Sequence, residues 1–213
     1  MKEYDYYVFD FDGTVSDTIP GVKNSIKYAL SCFGITETDD GKLDYFIGPP
    51  LYQGFTTVYG ADHDTANQMV AKFRERYAVK ATEESFLYDG IKEMLTELKN
   101  RGKHLAIASS KPQKFVIEIA KKLEIHELFD VIVGETFAHT ESSKKDLITE
   151  ALKEMGADDL SKAIMTGDRF YDIEGAKSVG IDSAGAVYGF GTKEELINAG
   201  ANYLLFKPDD LLY

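Results

Sequence analysis

An apolar run followed directly by two aspartates lies near the N-terminus, in the segment Tyr6-Tyr7-Val8-Phe9-Asp10-Phe11-Asp12-Gly13-Thr14. Residues 6–9 are aromatic or β-branched, which predicts a short buried strand. Both aspartates follow where that strand ends, and Gly13 supplies backbone freedom that can turn them toward one crevice. The pattern D-x-D-G-T arises by chance in roughly one chain per thousand of this length. The segment therefore indicates chemistry rather than a polar turn or a helix cap.

The rest of the chain alternates short β-branched or aromatic runs with longer segments of helical period. This alternation is typical of an α/β fold with a doubly wound, mostly parallel sheet. The predicted strands span residues 6–9, 104–108, 131–133, 163–166, 183–187 and 203–206.

Helices are predicted between these strands. Apolar residues at i, i+3, i+4 and i+7 predict the first, which begins with a cap at Asp89 and ends at Gly102. A second is predicted to begin at Pro112, a residue suited to the first turn of a helix. Its inward-facing residues are predicted to be Phe115, Ile119 and Leu123. A third helix is predicted from about residue 145 to residue 155, and it ends near Gly156.

Residues 17–84 break the alternation, because they show helical patterning without a convincing strand. This length is far beyond an ordinary crossover, so it predicts a separate helical subdomain inserted after the first strand. The chain then divides into an α/β core of residues 1–16 and 85–213 and a helical cap of residues 17–84. Such an insertion can act as a lid.

The composition of the chain indicates which cellular compartment and which binding partners are expected. The formal net charge is −12, which argues against nucleic acid and against an anionic membrane surface as partner. No apolar run approaches the roughly 18 residues that a membrane span needs, so a cytoplasmic protein is expected. The single cysteine, Cys32, lies in an apolar stretch, which predicts a small core residue and no intrachain disulfide. The four histidines are scattered without metal-ligand spacing, so no zinc site is expected.

Polar residues follow the predicted strands at the edge where an open parallel sheet binds its ligands. They are Asp10 and Asp12 after the first strand, Ser109-Ser110-Lys111 after the second, Lys144 ahead of the third helix, and Gly167-Asp168 with Asp172 after the fourth strand. Taken singly, the serines fit a helix cap and Lys144 fits a solvated surface group. Together, several carboxylates, a hydroxyl and one or two ammonium groups predict a site for a hard cation and a phosphoryl group. A small phosphorylated metabolite is therefore the expected partner.

In order along the chain, these motifs resemble the four motifs of the haloacid dehalogenase-like hydrolase superfamily, and the resemblance covers essentially the whole chain. The helical insertion and Asp17-Thr18 resemble the branch that contains phosphoglycolate phosphatases, some nucleotidases and β-phosphoglucomutases. Within that branch, Ile47-Gly48-Pro49-Pro50-Leu51 looks most like the phosphoglycolate phosphatase type. The implied fold is a Rossmann-like core with an inserted α-helical cap.

The resemblance also implies a role for each matching residue. Asp10 would be the phosphorylated nucleophile, and Asp12 would act first as acid and then as base. Ser109 and Lys144 would hold phosphoryl oxygens. The implied ligands of a magnesium ion are Asp10, Asp12, Asp168 and Asp172. Further substrate-binding candidates are Gly13, Thr14, Thr18, Ser110 and Lys111.

The chain departs from the family pattern at two places. Ser109-Ser110-Lys111 stands where the family often has Thr-Asn-Lys, a change that keeps the hydroxyl. Lys144-Lys145 stands where the family often has Lys-Pro, so either lysine can be the one that points inward. Lys144 is favoured by its distance ahead of the helix.

The sequence thus predicts a magnesium-dependent phosphatase that acts on a small phosphate monoester through an aspartyl-phosphate, of the phosphoglycolate phosphatase or 5'-nucleotidase kind. One alternative is a β-phosphoglucomutase-like phosphotransferase. A dehalogenase shares the nucleophile but needs neither the acid nor magnesium. A non-enzymatic phospho-acceptor receiver domain is an alternative of a different class. Candidate substrate contacts in the insertion are Thr18, Lys23, Gln53 and Arg74.

Overall fold

The computed structural model describes residues 1–47, 50–135 and 142–213, which fold as two compact units. Residues Met1–Asp17 and Phe86–Tyr213 form the first, here called the α/β unit. Residues Thr18–Ser85 form the second, here called the helical unit.

The described residues of the helical unit form helices α1 (Ile19–Ser31), α2 (Asp40–Asp44), α3 (Leu51–Tyr59) and α4 (His63–Lys80). Their shared core is aromatic and aliphatic, and it includes Ile26, Leu30, Leu43, Phe46, Phe55, Met69 and Phe73. The ring of Phe46 occupies the space that a Cβ at position 54 would need, so glycine fits there. This unit therefore has an apolar core of its own.

The α/β unit contains a main sheet with helices on both faces. Its strands are β1 (Tyr6–Phe9), β2 (Ser16–Asp17), β3 (Phe86–Leu87), β4 (His104–Pro112), β5 (Val131–Glu135), β6 (Ala163–Gly167), β7 (Asp182–Ala186) and β8 (Tyr203–Leu205). Its helices are α5 (Ile91–Asn100), α6 (Gln113–Lys122), α7 (Lys144–Glu154), α8 (Phe170–Val179) and α9 (Lys193–Ala199). Short 3-10 turns lie at His126–Leu128, Leu160–Lys162 and Pro208–Leu212.

The order of the main sheet is β5-β4-β1-β6-β7-β8, and each neighbouring pair is parallel. β1 lies inside the sheet, where Phe9 is in register with Ile107 on one side and Thr166 on the other. From β1 the chain adds β4 and β5 on one side of the sheet and then β6, β7 and β8 on the other. The predicted doubly wound α/β fold is thus confirmed. Ligands of such sheets bind outside the carboxyl ends of the strands where the winding direction changes. That point is the end of β1.

The two faces of β1 belong to different cores because side chains alternate along a strand. Phe9 packs into the core that includes Leu95 of α5 and Ile119 of α6. Val8 packs into the core that includes Ile148 of α7 and Ala176 of α8. Burying each large apolar side chain stabilises the fold by about 1.5–3 kcal/mol, so both faces fix the position of β1.

The structure corrects the predicted start of two helices. Asp89 does not cap α5; the N-cap is Gly90 at φ +88°, with no side-chain hydrogen bond. α6 begins at Gln113 after Pro112, because β4 continues as far as Pro112 and pairs there with Glu135.

The inward face of α6 also differs from the prediction. Its buried residues are Val116, Ile119 and Ala120. Phe115 and Leu123 are only partly buried because they lie at the edge of that stripe. The short antiparallel pair of β2 and β3 was not predicted, since two residues are too few to show a period.

Cys32 is exposed, so the prediction that it is a core residue was wrong. It is the C-cap of α1, where the chain leaves the helix just beyond the buried Leu30. Within the described ranges, no helix is long and apolar enough to span a bilayer.

Candidate active site

The carboxyl ends of β1 and β6 bring the predicted acidic residues together. Asp10 follows β1, Asp168 follows β6, and Asp172 lies in the first turn of α8. One carboxylate oxygen of each lies within 4.8 Å of the others. Asp10 is 9% exposed, Asp168 is 0% exposed and Asp172 is 1% exposed. These three residues are called the acidic cluster below.

Lys144 lies within this cluster. Its Nζ is 2.9 Å from Asp10 Oδ1 and 2.9 Å from Asp172 Oδ1, and it donates to the Ala108 carbonyl oxygen at 3.2 Å. Lys144 is the first residue of α7, whereas its neighbour Lys145 is exposed. The lysine beside the predicted nucleophile is therefore Lys144.

The charges of the cluster are not balanced. Three carboxylates and one ammonium group leave about two negative charges in a buried place. Burial, followed by the nearby charges of Asp10 and Asp172, raises the pKa of Asp168 to about 8. Burial also raises the pKa of Asp10 to about 6, although the charge of Lys144 opposes this effect. Both shifts mean that ionised carboxylates are disfavoured here unless a further cation is bound.

Burial would lower the pKa of Lys144, but the charges of Asp10 and Asp172 outweigh it and raise the pKa. Its ammonium group therefore stays charged at neutral pH.

Asp168 is held by groups on both sides. Thr14 Oγ1 donates to Asp168 Oδ1 at 2.9 Å, and the Phe190 N–H donates to Asp168 Oδ2 at 2.9 Å. Gly13 has φ +88°, and a Cβ there would overlap the Asp168 carboxylate. Gly13 and Thr14 therefore shape the surroundings of Asp168, and their predicted role in substrate binding stays a prediction.

Asp12 is separate from the acidic cluster. Lys111 Nζ lies 3.0 Å from Asp12 Oδ1 and 2.8 Å from Asp12 Oδ2. The carboxylate of Asp12 thus pairs with Lys111 and lies outside the acidic cluster. The implied role of Asp12 as a magnesium ligand stays a prediction. Phe11 lies between Asp10 and Asp12 in the chain and is fully buried in the core. The turn that follows Phe11 directs the Asp12 carboxylate away from the acidic cluster.

The remaining predicted residues fall into two groups. Ser109 is 2% exposed, and its Oγ accepts the Lys111 N–H at 3.2 Å. Ser110 is exposed. Thr18, Lys23, Gln53 and Arg74 belong to the helical unit.

Two of these helical-unit residues have defined neighbours. Lys23 pairs with Asp44 at 2.7 Å, and Arg74 lines a surface groove with Tyr52 and Asn67. Gly48 and Pro49 of the predicted family segment lie outside the described residues.

Sequence reasoning missed Phe190, in the connection from β7 to α9, and Glu195, in the first turn of α9. Glu195 Oε1 accepts from Arg169 Nε at 2.8 Å and from the Phe170 N–H at 3.0 Å. The available signal was the pair Gly189 and Gly191 directly after a predicted strand, since glycines there allow close backbone approach.

The chain is similar in sequence and fold to several known proteins. The sequence model of the haloacid dehalogenase-like hydrolase family matches residues 7–186. A 5'-nucleotidase from Pseudomonas aeruginosa is 39% identical over 193 residues, which are 91% of this chain and 87% of that protein. A phosphoglycolate phosphatase from Vibrio parahaemolyticus is 29% identical, with 96% of this chain and 92% of that protein covered.

A solved structure from Clostridium difficile, provisionally named a phosphatase, is 39% identical. It superposes with a TM-score of 0.94 over 100% of both chains. The family resemblance and the prediction of an enzyme of the hydrolase class are thereby confirmed. The chain belongs to the haloacid dehalogenase-like hydrolase family.

Proposed function

We propose that this chain is a magnesium-dependent phosphatase that hydrolyses a small phosphate monoester through covalent attack by Asp10. The observation that carries the proposal is the buried acidic cluster, in which Asp10 Oδ1 lies 2.9 Å from Lys144 Nζ at the end of the central strand. Phosphatases among the relatives and structural neighbours support the reaction class.

The donor set suits magnesium. Carboxylate oxygens are the ligands that this hard cation prefers, and Asp10, Asp168 and Asp172 supply three that lie close together. One divalent cation would also balance the two negative charges that Lys144 leaves. When bound, magnesium would neutralise charge on the phosphoryl oxygens.

Asp10 is the proposed nucleophile. Its pKa, raised to about 6 by burial, leaves it mostly ionised at neutral pH. A carboxylate oxygen of Asp10 attacks phosphorus, the phosphorus–oxygen bond of the ester breaks, and an aspartyl-phosphate remains on the protein. Lys144 and the Ser109 hydroxyl are proposed to hold phosphoryl oxygens, which is electrostatic stabilisation of the transition state.

Asp12 is the proposed acid and base. Asp12 enters the first step in its protonated form and gives that proton to the leaving alcohol oxygen. In the second step it takes a proton from the water that attacks the aspartyl-phosphate, so that inorganic phosphate leaves and Asp10 is restored. Lys111 Nζ, at 2.8 Å from Asp12 Oδ2, holds this carboxylate in place before substrate binds.

The proposed substrates are a 5'-nucleoside monophosphate and phosphoglycolate, which follow the names of the two relatives. The family match and the hydrolase relatives disfavour the receiver-domain alternative. A mutase would share the aspartyl-phosphate but return the phosphoryl group to a sugar phosphate.

The test is phosphate release from nucleoside monophosphates, phosphoglycolate and sugar phosphates, with magnesium and with EDTA. We expect magnesium-dependent release by the wild type and none by Asp10→Asn. Asp64→Asn is the matched control, since it makes the same chemical change at an exposed residue of α4 and should retain full activity. Appreciable turnover by Asp10→Asn would contradict the proposal. Conversion between sugar phosphates without phosphate release would favour the mutase.

A further inference from the structure

The connection between β7 and α9, residues 187–192, packs against the backbone and side chain of Asp168. Besides the Phe190 N–H, it contributes Tyr188, whose hydroxyl donates to the Thr14 carbonyl oxygen at 3.0 Å. A Cβ at Gly189 would overlap Asp168 and the Gly13 carbonyl oxygen. A Cβ at Gly191 would overlap the Asp168 carbonyl oxygen, so the two glycines permit this close approach.

Glu195 extends this contact to Arg169 and Phe170, the two residues that follow Asp168. Its Oε1 accepts from Arg169 Nε and from the Phe170 N–H, at 2.8 and 3.0 Å. The Arg169 N–H in turn donates to Asp172 Oδ2 at 3.0 Å. Arg169 and Phe170 lie between Asp168 and Asp172 in the chain. The Glu195 carboxylate therefore fixes the segment that sets the spacing of these two aspartates.

Glu195 is itself fixed. It lies in the first turn of α9, where its N–H donates to the Oγ1 of the N-cap Thr192 at 3.1 Å. Its side chain is 23% exposed. Burial would raise the pKa of Glu195, but hydrogen bonds from Arg169 and Phe170 outweigh it and lower the pKa, so the group is ionised at neutral pH.

We propose that Glu195 is a positioning residue for the cation of the acidic cluster, acting through the Arg169-Phe170 backbone to hold Asp168 and Asp172 at ligand spacing. This inference rests on the proposed magnesium site. The Glu195 carboxylate contacts Arg169 and Phe170 rather than the acidic cluster, so its effect passes through the loop. Residues that orient metal ligands in this way typically contribute 10–100-fold to metal affinity.

The test is magnesium binding measured by isothermal titration calorimetry on the whole protein without substrate. Glu195→Ala is expected to raise the dissociation constant for magnesium by about 10–100-fold. Glu195→Gln retains the oxygen acceptor and should bind close to the wild-type affinity. Glu194→Ala is the matched control, because Glu194 is the exposed neighbour in the same turn and should bind as the wild type.

Phosphate release against magnesium concentration gives a second measurement. Glu195→Ala should need about 10–100-fold more magnesium for half-maximal rate, yet approach the wild-type kcat at saturation. Circular dichroism checks folding. If Glu195→Ala does not fold, Glu195→Asp serves instead, since it keeps the charge but is one methylene too short to reach the Phe170 N–H.

Equal magnesium affinity in Glu195→Ala and Glu194→Ala, with binding by the wild type, would overturn this inference alone. Unchanged affinity with a lost kcat would also overturn it. Failure of the wild type to bind magnesium at all would overturn both this inference and the proposed metal site.

Discussion

Lys144→Met tests the electrostatics of the acidic cluster directly. The substitution removes an ammonium group that is 2.9 Å from both Asp10 and Asp172, on a side chain that is only 9% exposed. Removing one partner of a buried ion pair leaves the other charge uncompensated, which typically costs about 3–5 kcal/mol. Here it would leave three buried carboxylates without a cation.

Thermal unfolding in EDTA at pH 8 measures this loss. For a chain of this size each kcal/mol shifts the Tm by about 2–4 °C, so Lys144→Met should lower it by about 6–20 °C. Lys145→Met is the matched control, because the exposed neighbour should change the stability by no more than about 0.5 kcal/mol. Magnesium should restore part of the loss in Lys144→Met, since binding to the folded state stabilises it. Equal Tm values for the two variants would show that the contacts of Lys144 with Asp10 and Asp172 do not stabilise the fold.

Other perturbations of the site have defined outcomes. Because burial raises the pKa of Asp10 to about 6 and of Asp168 to about 8, the folded state holds protons that the unfolded state releases above about pH 4. The contribution of Asp10 and Asp168 to stability in EDTA therefore falls as the pH rises from about 4 to 8. The gain in Tm from magnesium should grow over this range. A gain in Tm that stays constant with pH would contradict the raised pKa values. Thr14→Val removes the 2.9 Å hydrogen bond to Asp168 and should raise the magnesium needed for half-maximal phosphate release about 10–100-fold, whereas Thr14→Ser should not. Gly13→Ala should be less stable than Gly34→Ala, because both glycines have positive φ but a Cβ meets other atoms only at Gly13; equal unfolding midpoints would count against this.

The sequence was sufficient to predict the sheet and the convergence of the acidic residues. The strand at residues 6–9 shows as a short apolar run, and strand ends in a parallel sheet meet at one edge. The positions of Asp10 and Asp168, each directly after a strand, therefore predict that the two carboxylates lie near each other. The choice of Lys144 over Lys145 followed from its position ahead of the predicted helix, although α7 in the structure begins at Lys144 itself.

Other features depend on contacts that no local pattern shows. The pairing of Asp12 with Lys111 joins residues 99 positions apart, and it arises because β4 continues past Ser109. The contact of Glu195 with the Phe170 N–H spans 25 positions. Cys32 was misplaced because an apolar neighbourhood does not reveal where a helix leaves its core.

The proposed mechanism requires that Asp10 becomes phosphorylated during turnover. The most direct measurement is acid quenching of the enzyme with magnesium and its preferred ester, followed by mass spectrometry of the peptide that carries residues 6–14. With an aryl phosphate, whose leaving group needs no acid, Asp12→Asn should accumulate the intermediate, since it lacks the base that activates water. We expect one added phosphoryl group, located on Asp10. Turnover with no phosphoryl group on Asp10, or with the group on another residue, would contradict it.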